Sequence, residues 1–243
     1  MTKRLLSPAG VRHAVSVTAS PPPRTPSTPS ASKAAVAGPG TGTQTAERLL
    51  FAAAGAFADN GFHATTTRDI ASRAGLSPAG VYVHFASKED LLHELSRDGH
   101  GTALALVRSA AAPPGTASKR LAGVMGSFAI WHAEHHQVAR VVQYEFPHLT
   151  PEHRDEVLAL RKEIDAIVRD LLHEGVGAGE FVVDDVYDTA LALMSLCIDV
   201  ARWYSPAISR TPAQIGETYA ALGLRLVGRV GPPVGTSARV SRG

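Results

Sequence analysis

Apolar residues recur every three to four positions along most of the chain, and no stretch alternates with the two-residue period of a half-buried strand. The pattern predicts an all-α fold. Leu49, Leu50, Ala53 and Phe57 share one side of a helix over 43–60, closed by Asn60-Gly61. A helix from Lys88 to about Ala112 stops at Pro113-Pro114, and Gly99 and Gly101 inside it predict a kink. Leu121, Val124, Met125, Phe128 and Trp131 mark the next helix, and 138–144 a short one before Pro147. Thr150-Pro151 opens a long helix with the stripe Val157, Leu160, Ile164, Ile167 and Leu171 and a charged back. Gly175, Gly177 and Gly179 mark its end. Asp184 caps a helix over 185–204, and Thr211-Pro212-x-Gln214 caps a last one bearing Ile215, Tyr219, Leu222 and Leu226.

Residues 66–90, TTRDIASRAGLSPAGVYVHFASKED, hold three helix starts in one short stretch. Thr66-x-x-Asp69 and Ser87-x-x-Asp90 have capping-box spacing, and Ser77-Pro78 places an N-cap before a proline at the first helical position. Ala74-Gly75-Leu76 supplies a glycine for the left-handed end of the first helix. Two short helices joined by such a turn form a helix-turn-helix unit, whose second helix enters the DNA major groove. Ile70, Ala71, Ala74, Leu76, Val81 and Phe85 are the residues the turn must bury, and the 43–60 helix packs beneath them.

Composition refines this organisation. The 243 residues are 44% apolar, enough for a substantial core, and the net charge of +2 alone does not point to nucleic acid. Lys3, Arg4, Arg12, Arg24 and Lys33 lie in a stretch without an acid, and residues 1–42, with PPPRTPSTPS at their centre, are too polar and proline-rich to order themselves. They read as a solvated tail, as an unused upstream start, or as a basic arm adding DNA affinity. The expected division is a disordered tail over 1–42, a DNA-binding domain over 43–90, a helical ligand-binding and dimerisation domain over 91–228, and a disordered tail over 229–243. The single cysteine, Cys197, fits a reducing cytoplasm. No apolar run is long enough to span a membrane, and the N-terminus lacks a signal-peptide core.

Residues 49–92 resemble the DNA-binding domain of the tetracycline-repressor (TetR) family of bacterial regulators. The matching blocks are LLFAAAGAFADNGF (49–62), TTTRDIASRAGLS (65–77) and VYVHFASKEDLL (81–92). The resemblance implies three helices for DNA and about six for ligand binding and dimerisation, in a homodimeric regulator, a repressor released from a palindromic operator by a small molecule. Carried onto this chain, it implies DNA contacts from Thr66, Thr67 and Arg68. Pro78, Ala79, Gly80, Val83 and His84 would face the groove, Tyr82 the backbone, and Lys88 a phosphate. Gly80 and Val83 stand where relatives often carry polar groups, so methyl and shape contacts, with Arg68 and His84, are expected to supply most selectivity.

DVARWYSPAISRTPAQIGETYAALGLRLVG (199–228) resembles the final segment of family members that regulate fatty-acid, sterol and related acyl-CoA catabolism. That resemblance implies a coenzyme A thioester as effector. Phe128, Trp131, Tyr144, Met194, Trp203 and Tyr204 are candidate apolar lining and Arg202 a candidate anion partner, although such residues also make ordinary core. The segment 190–201 is apolar almost all round, which fits either a helix shared with a second copy across a two-fold axis or one buried inside a monomer. His132, His135 and His136, with Glu145, His148 or His153, offer metal-type ligands, but at a helix end histidines also complement the dipole. A drug- or metal-sensing regulator and a histidine-based metal-dependent enzyme are the alternatives. No cofactor or enzyme motif is present, and the favoured reading is a non-enzymatic regulator.

Overall fold

The computed structural model describes residues 39–228. The tail readings for 1–38 and 229–243 lie outside the described residues. Within them the chain forms nine α-helices and no strand: α1 Pro39–Ala64, α2 Thr67–Arg73, α3 Pro78–Tyr82, α4 Lys88–Ala111, α5 Ala117–Glu134, α6 His136–Tyr144, α7 Pro151–Gly177, α8 Val186–Trp203 and α9 Pro212–Leu226. A 3₁₀ turn, Phe146–His148, joins α6 to α7. All nine lie within one compact unit.

The helix starts follow local chemistry. The Thr66, Ser77, Ser87, Thr116, Thr150, Asp185 and Thr211 side chains each accept from a backbone N–H in the first turn of the helix that follows, satisfying one of its orphan donors. The cap of α8 is Asp185, not Asp184. At Ser87 the capping box is altered: the Ser87 hydroxyl donates to the Asp90 carboxylate at 2.8 Å. Gly61 breaks α1 with φ 75°, so Phe62–Ala64 form a separate turn.

One glycine-based expectation changes, and one holds with a detail added: α7 does end among its glycines, at Gly177. Helix α4 runs through Gly99 and Gly101 without a kink. Gly99 is buried beside the side chains of Trp131, Val138 and Val142. Helix α7 continues through Gly175 to Gly177. A Cβ on Gly175 would fall 2.0 Å from the Phe181 ring, so this glycine lets the chain fold back over its own helix.

Two main apolar cores result, with a third, small cluster of Trp131, Ala139 and Ala201. The larger gathers α4, α5, α7, α8 and α9 around Leu121, Met125, Leu172, Leu193 and Ile215, all fully buried. The other holds Leu49, Phe57, Ile70, Val81, Leu91 and Leu92 from α1–α4, together with Val141, Leu149 and Val157 from α6, its exit and α7. Helix α4 contributes to both.

Candidate nucleic-acid interface and effector cavity

Helix α2 starts on a complete capping box. Asp69 N–H donates to Thr66 Oγ1 at 3.2 Å, and Thr66 N–H donates to the Asp69 carboxylate at 2.8 Å. The Thr66 hydroxyl also donates to the Asp69 carboxylate, at 2.7 Å, and this bond, then the Thr66 N–H bond, then nearby Arg73 hold the Asp69 carboxyl below its usual range. The turn closes through Ala74 N–H to Ile70 O, Gly75 N–H to Ser72 O and Leu76 N–H to Ala71 O, with Gly75 at φ 66°. The Arg48 guanidinium donates to Ala74 O, tying the turn to α1.

This anchoring orients α3. Val81 is fully buried, as are Ile70 and Ala71 of α2, while Pro78, Ala79, Tyr82 and Val83 are exposed and Gly80 and His84 half-buried. Val83, at 79% exposure, is an apolar side chain presented to solvent beside the recognition helix. The Tyr82 hydroxyl lies 3.1 Å from Thr67 Oγ1, bridging the end of α3 to the start of α2. Arg68 is exposed with no partner among the described residues. Phe85 is half-buried against the N-terminal core.

Lys88 is placed differently from its expected phosphate-contact role. Its ammonium donates to the carbonyls of Phe62 and of Thr65, the latter at 2.8 Å, and lies 4.3 Å from the Phe62 ring centroid. A cation at the carbonyl-rich end of a helix is favoured there. Lys88 thus fastens α4 to the end of α1.

In the C-terminal half a cavity of about 520 Å³ opens among α4, α5, α6, α7 and α8. Phe128, Trp131 and Met194 line it, as the sequence suggested. Tyr144 and Arg202 instead line an adjoining cleft of about 250 Å³ with Arg140 and Asp199, which shares Ala139, Gln143, Ser195 and Ile198 with the cavity. Arg202 is bound bidentately by Asp199 at 2.6 and 2.9 Å. Trp203 and Tyr204 line neither space and pack against the larger core.

The polar wall of the cavity was not anticipated. Arg161 Nε–H donates to His100 Nε2 at 2.9 Å, and His100 Nδ1 lies 2.7 Å from Ser96 O. Since Nε2 accepts, Nδ1 carries the proton and the ring is neutral. His132 Nδ1 likewise lies 2.8 Å from Phe128 O. Burial, before any other cause, pushes both imidazoles down to about 4. A weak signal for Arg161 existed: it lies four residues after Val157 and three before Ile164, on the apolar stripe itself.

The histidines do not converge on a metal. His132, His135 and His136 each direct Nδ1 to a carbonyl of α5, those of Phe128, Trp131 and Ala133. Among the described residues, metal-type ligand atoms gather only at Glu89, Asp90 and His153. There His153 Nδ1 is 2.9 Å from both Glu89 oxygens, and its ring stacks on His93 at 3.6 Å. Glu89 raises the His153 pKa through that hydrogen bond. The group reads as a polar clamp between α4 and α7.

Of the segment 190–201, Ala190, Leu193, Met194, Cys197, Val200 and Ala201 are buried, and Leu191 and Leu196 are exposed. Leu222 and Leu226 of α9 are exposed as well. No described helix is long and apolar enough to cross a membrane.

A capped helix-turn-helix unit on a helical bundle defines a DNA-binding protein of the bacterial regulator class. Residues 49–95 match the model of the bacterial regulatory proteins of the tetR family, and 114–227 a tetracyclin repressor-like C-terminal domain. The chain belongs to the tetR family of helix-turn-helix bacterial regulatory proteins. It is 35% identical over 178 residues to the HTH-type transcriptional repressor KstR2 of Mycobacterium tuberculosis, covering 72% of this chain and 88% of the relative. A tetR-family regulatory protein from Rhodococcus RHA1 has 39% identity and a TM-score of 0.72 over 76% of this chain and 97% of that one. The structure of the ketosteroid transcriptional regulator KstR2 of M. tuberculosis matches at 30% identity and TM-score 0.71, over 76% and 95% of the two chains. The fatty acid metabolism regulator protein of Bacillus subtilis is 29% identical over 55% of this chain and 69% of its own length.

Proposed function

We propose that this protein is a cytoplasmic homodimeric repressor, released from a palindromic operator when the acyl part of a coenzyme A thioester fills the α4–α8 cavity. One observation carries the reading. The cavity wall includes Gly99, His100 and Ala103 of α4, and the first turns of that same helix bury Leu91, Leu92 and Leu95 in the N-terminal core. A ligand with different affinities for two positions of α4 therefore changes the spacing of the paired recognition helices, which must match major grooves about 34 Å apart. The relatives support an apolar effector, one being named a ketosteroid regulator and another a fatty acid metabolism regulator. The cavity volume falls within the range of about 300–1,000 Å³ usual for ligand sites. The thioester's phosphates are too polar to bury unpaired, and Arg140 stands along the adjoining cleft as a cation open to them, whereas Arg202 is held by Asp199. The exposed Leu196, Leu222 and Leu226 offer an apolar face for the second protomer.

At the operator, Pro78, Ala79, Gly80, Val83 and His84 would meet the groove, with Thr66, Thr67 and Tyr82 at the backbone and Arg68 at a base or phosphate at the edge of the site. The test is fluorescence anisotropy on DNA from the protein's own promoter region. Arg68→Ala should weaken binding and lower the salt slope by about one. Acyl-CoA esters of several lengths should dissociate the complex, whereas cationic drugs and divalent metals should not. Release by a drug or metal and by no thioester would refute the effector class and leave the repressor standing.

A further inference from the structure

Arg161 is a half-buried cation that no carboxylate among the described residues answers. The guanidinium lines the cavity and stacks 4.2 Å from the Phe146 ring centroid, yet among the described residues it forms no ion pair. Asp165, the acid in the same wall, is engaged by Arg169 at 2.7 Å. Lys162, at the exposed edge, adds positive charge. Of the five N–H donors of an arginine, one bonds His100 and one reaches Val142 O at 3.4 Å, leaving three without a protein acceptor among the described residues. Removal from water penalises the charged form, and burial is the only cause lowering the Arg161 pKa. His100 cannot compensate as a counter-ion, being neutral. It fixes the plane of the guanidinium by accepting from Nε.

A partly desolvated charge is stabilised by pairing, and a guanidinium fork matches the oxygens of a carboxylate or phosphate. We propose that Arg161 is an anion receptor inside the effector cavity, so that the effector brings an anionic oxygen group against an otherwise apolar chamber. This rests on the reading of the cavity as the effector site, and it adds a charge requirement at a named residue. Two sources share this chemistry: the carboxylate of a free apolar acid, and a phosphate of a coenzyme A thioester. His100 ties Arg161 to α4, so an anion that draws on the guanidinium also acts on the helix leading to the DNA-binding half.

Calorimetric titration of the full chain with decanoate, decanoyl-CoA and methyl decanoate tests this. At least one anionic probe should bind the wild type roughly tenfold or more tighter than the neutral ester. Arg161→Met should abolish that preference and Arg161→Lys should retain part of it, with thermal melting confirming that both variants are folded. Whether decanoate or decanoyl-CoA shows the dependence on Arg161 identifies the source of the anion. Equal binding of ester and anions by the wild type, unchanged anion affinity in Arg161→Met, or no binding of any of the three overturns the proposal. Operator release, measured separately, distinguishes the two claims. Equal release of wild type and Arg161→Met by decanoyl-CoA removes the anion receptor and keeps the effector reading. Arg161-dependent binding without release by either anion does the reverse.

Discussion

The helix-turn-helix unit and the cavity satisfy their polar groups over different distances along the chain. Thr66, Ser77 and Ser87 each cap a backbone N–H three residues on. Arg161, by contrast, reaches back 61 residues to His100 and 19 to Val142, and part of its bonding capacity remains unfilled. The first region sets its helix starts locally, by caps that span three residues. The second exists only when α4, α6 and α7 have already met, and its remaining polar capacity is available to a ligand. A scaffold that presents a fixed surface to DNA suits local closure, and one that senses suits distant and incomplete closure.

The largest effect separates core from contact face within the C-terminal half. Leu193 is fully buried and Leu196 is 37% exposed on the same helix. Leu193→Glu buries a charge without a partner and should abolish folding, a loss above ~3 kcal/mol. Leu196→Glu should leave helicity intact by circular dichroism and shift light scattering towards monomer. A folded Leu193→Glu protein would show that the larger core is not built as described.

Acid sharpens the comparison next, because the buried neutral histidines lie in the cavity wall. Folded values of about 4 for His100 and His132 lie below the ordinary value near 6.5. Below that ordinary value the unfolded chain binds protons that the folded chain refuses, so stability falls as pH drops towards 4. The loss at pH 5 should be roughly 2 kcal/mol per histidine. Melting temperature measured from pH 7 to pH 5 should fall steeply for the wild type and less steeply for His132→Gln. Parallel curves for the two proteins would contradict a neutral buried His132.

The smallest expected change is Thr66→Ala, which removes the cap of α2 and should cost about 1 kcal/mol. Hydrogen exchange should quicken across α2 and α3 and remain unchanged around Arg161. Equal quickening in both regions would mean that the turn is not locally closed.

The same contrast explains what the sequence disclosed. The caps at Thr66, Ser77, Thr150 and Thr211 could be read because donor and acceptor stand three residues apart. The all-helical class and the order of elements followed from those caps and the apolar stripes. Lys88 could not be placed, because its carbonyl partners lie on the broken end of α1. The stripe of α7 was read through Leu160 and Ile167, both half-buried, whereas packing buries Val157, Ile164, Val168, Leu171 and Leu172. That small rotation hid Arg161 among the surface charges. Arg202 stood out as the arginine of an aromatic segment, but its neighbour Asp199 already holds it.

Val141, Leu149 and Val157 complete the core beneath the helix-turn-helix unit. The DNA-reading half is therefore not a detachable cassette. A hybrid regulator spliced at residue 90, or after Ala111, would leave Leu49 and Phe57 facing whatever the donor placed at positions 141, 149 and 157. Grafting a new specificity onto this scaffold should instead exchange the exposed residues of α3 alone, or carry α6 and the opening of α7 along with α1–α4.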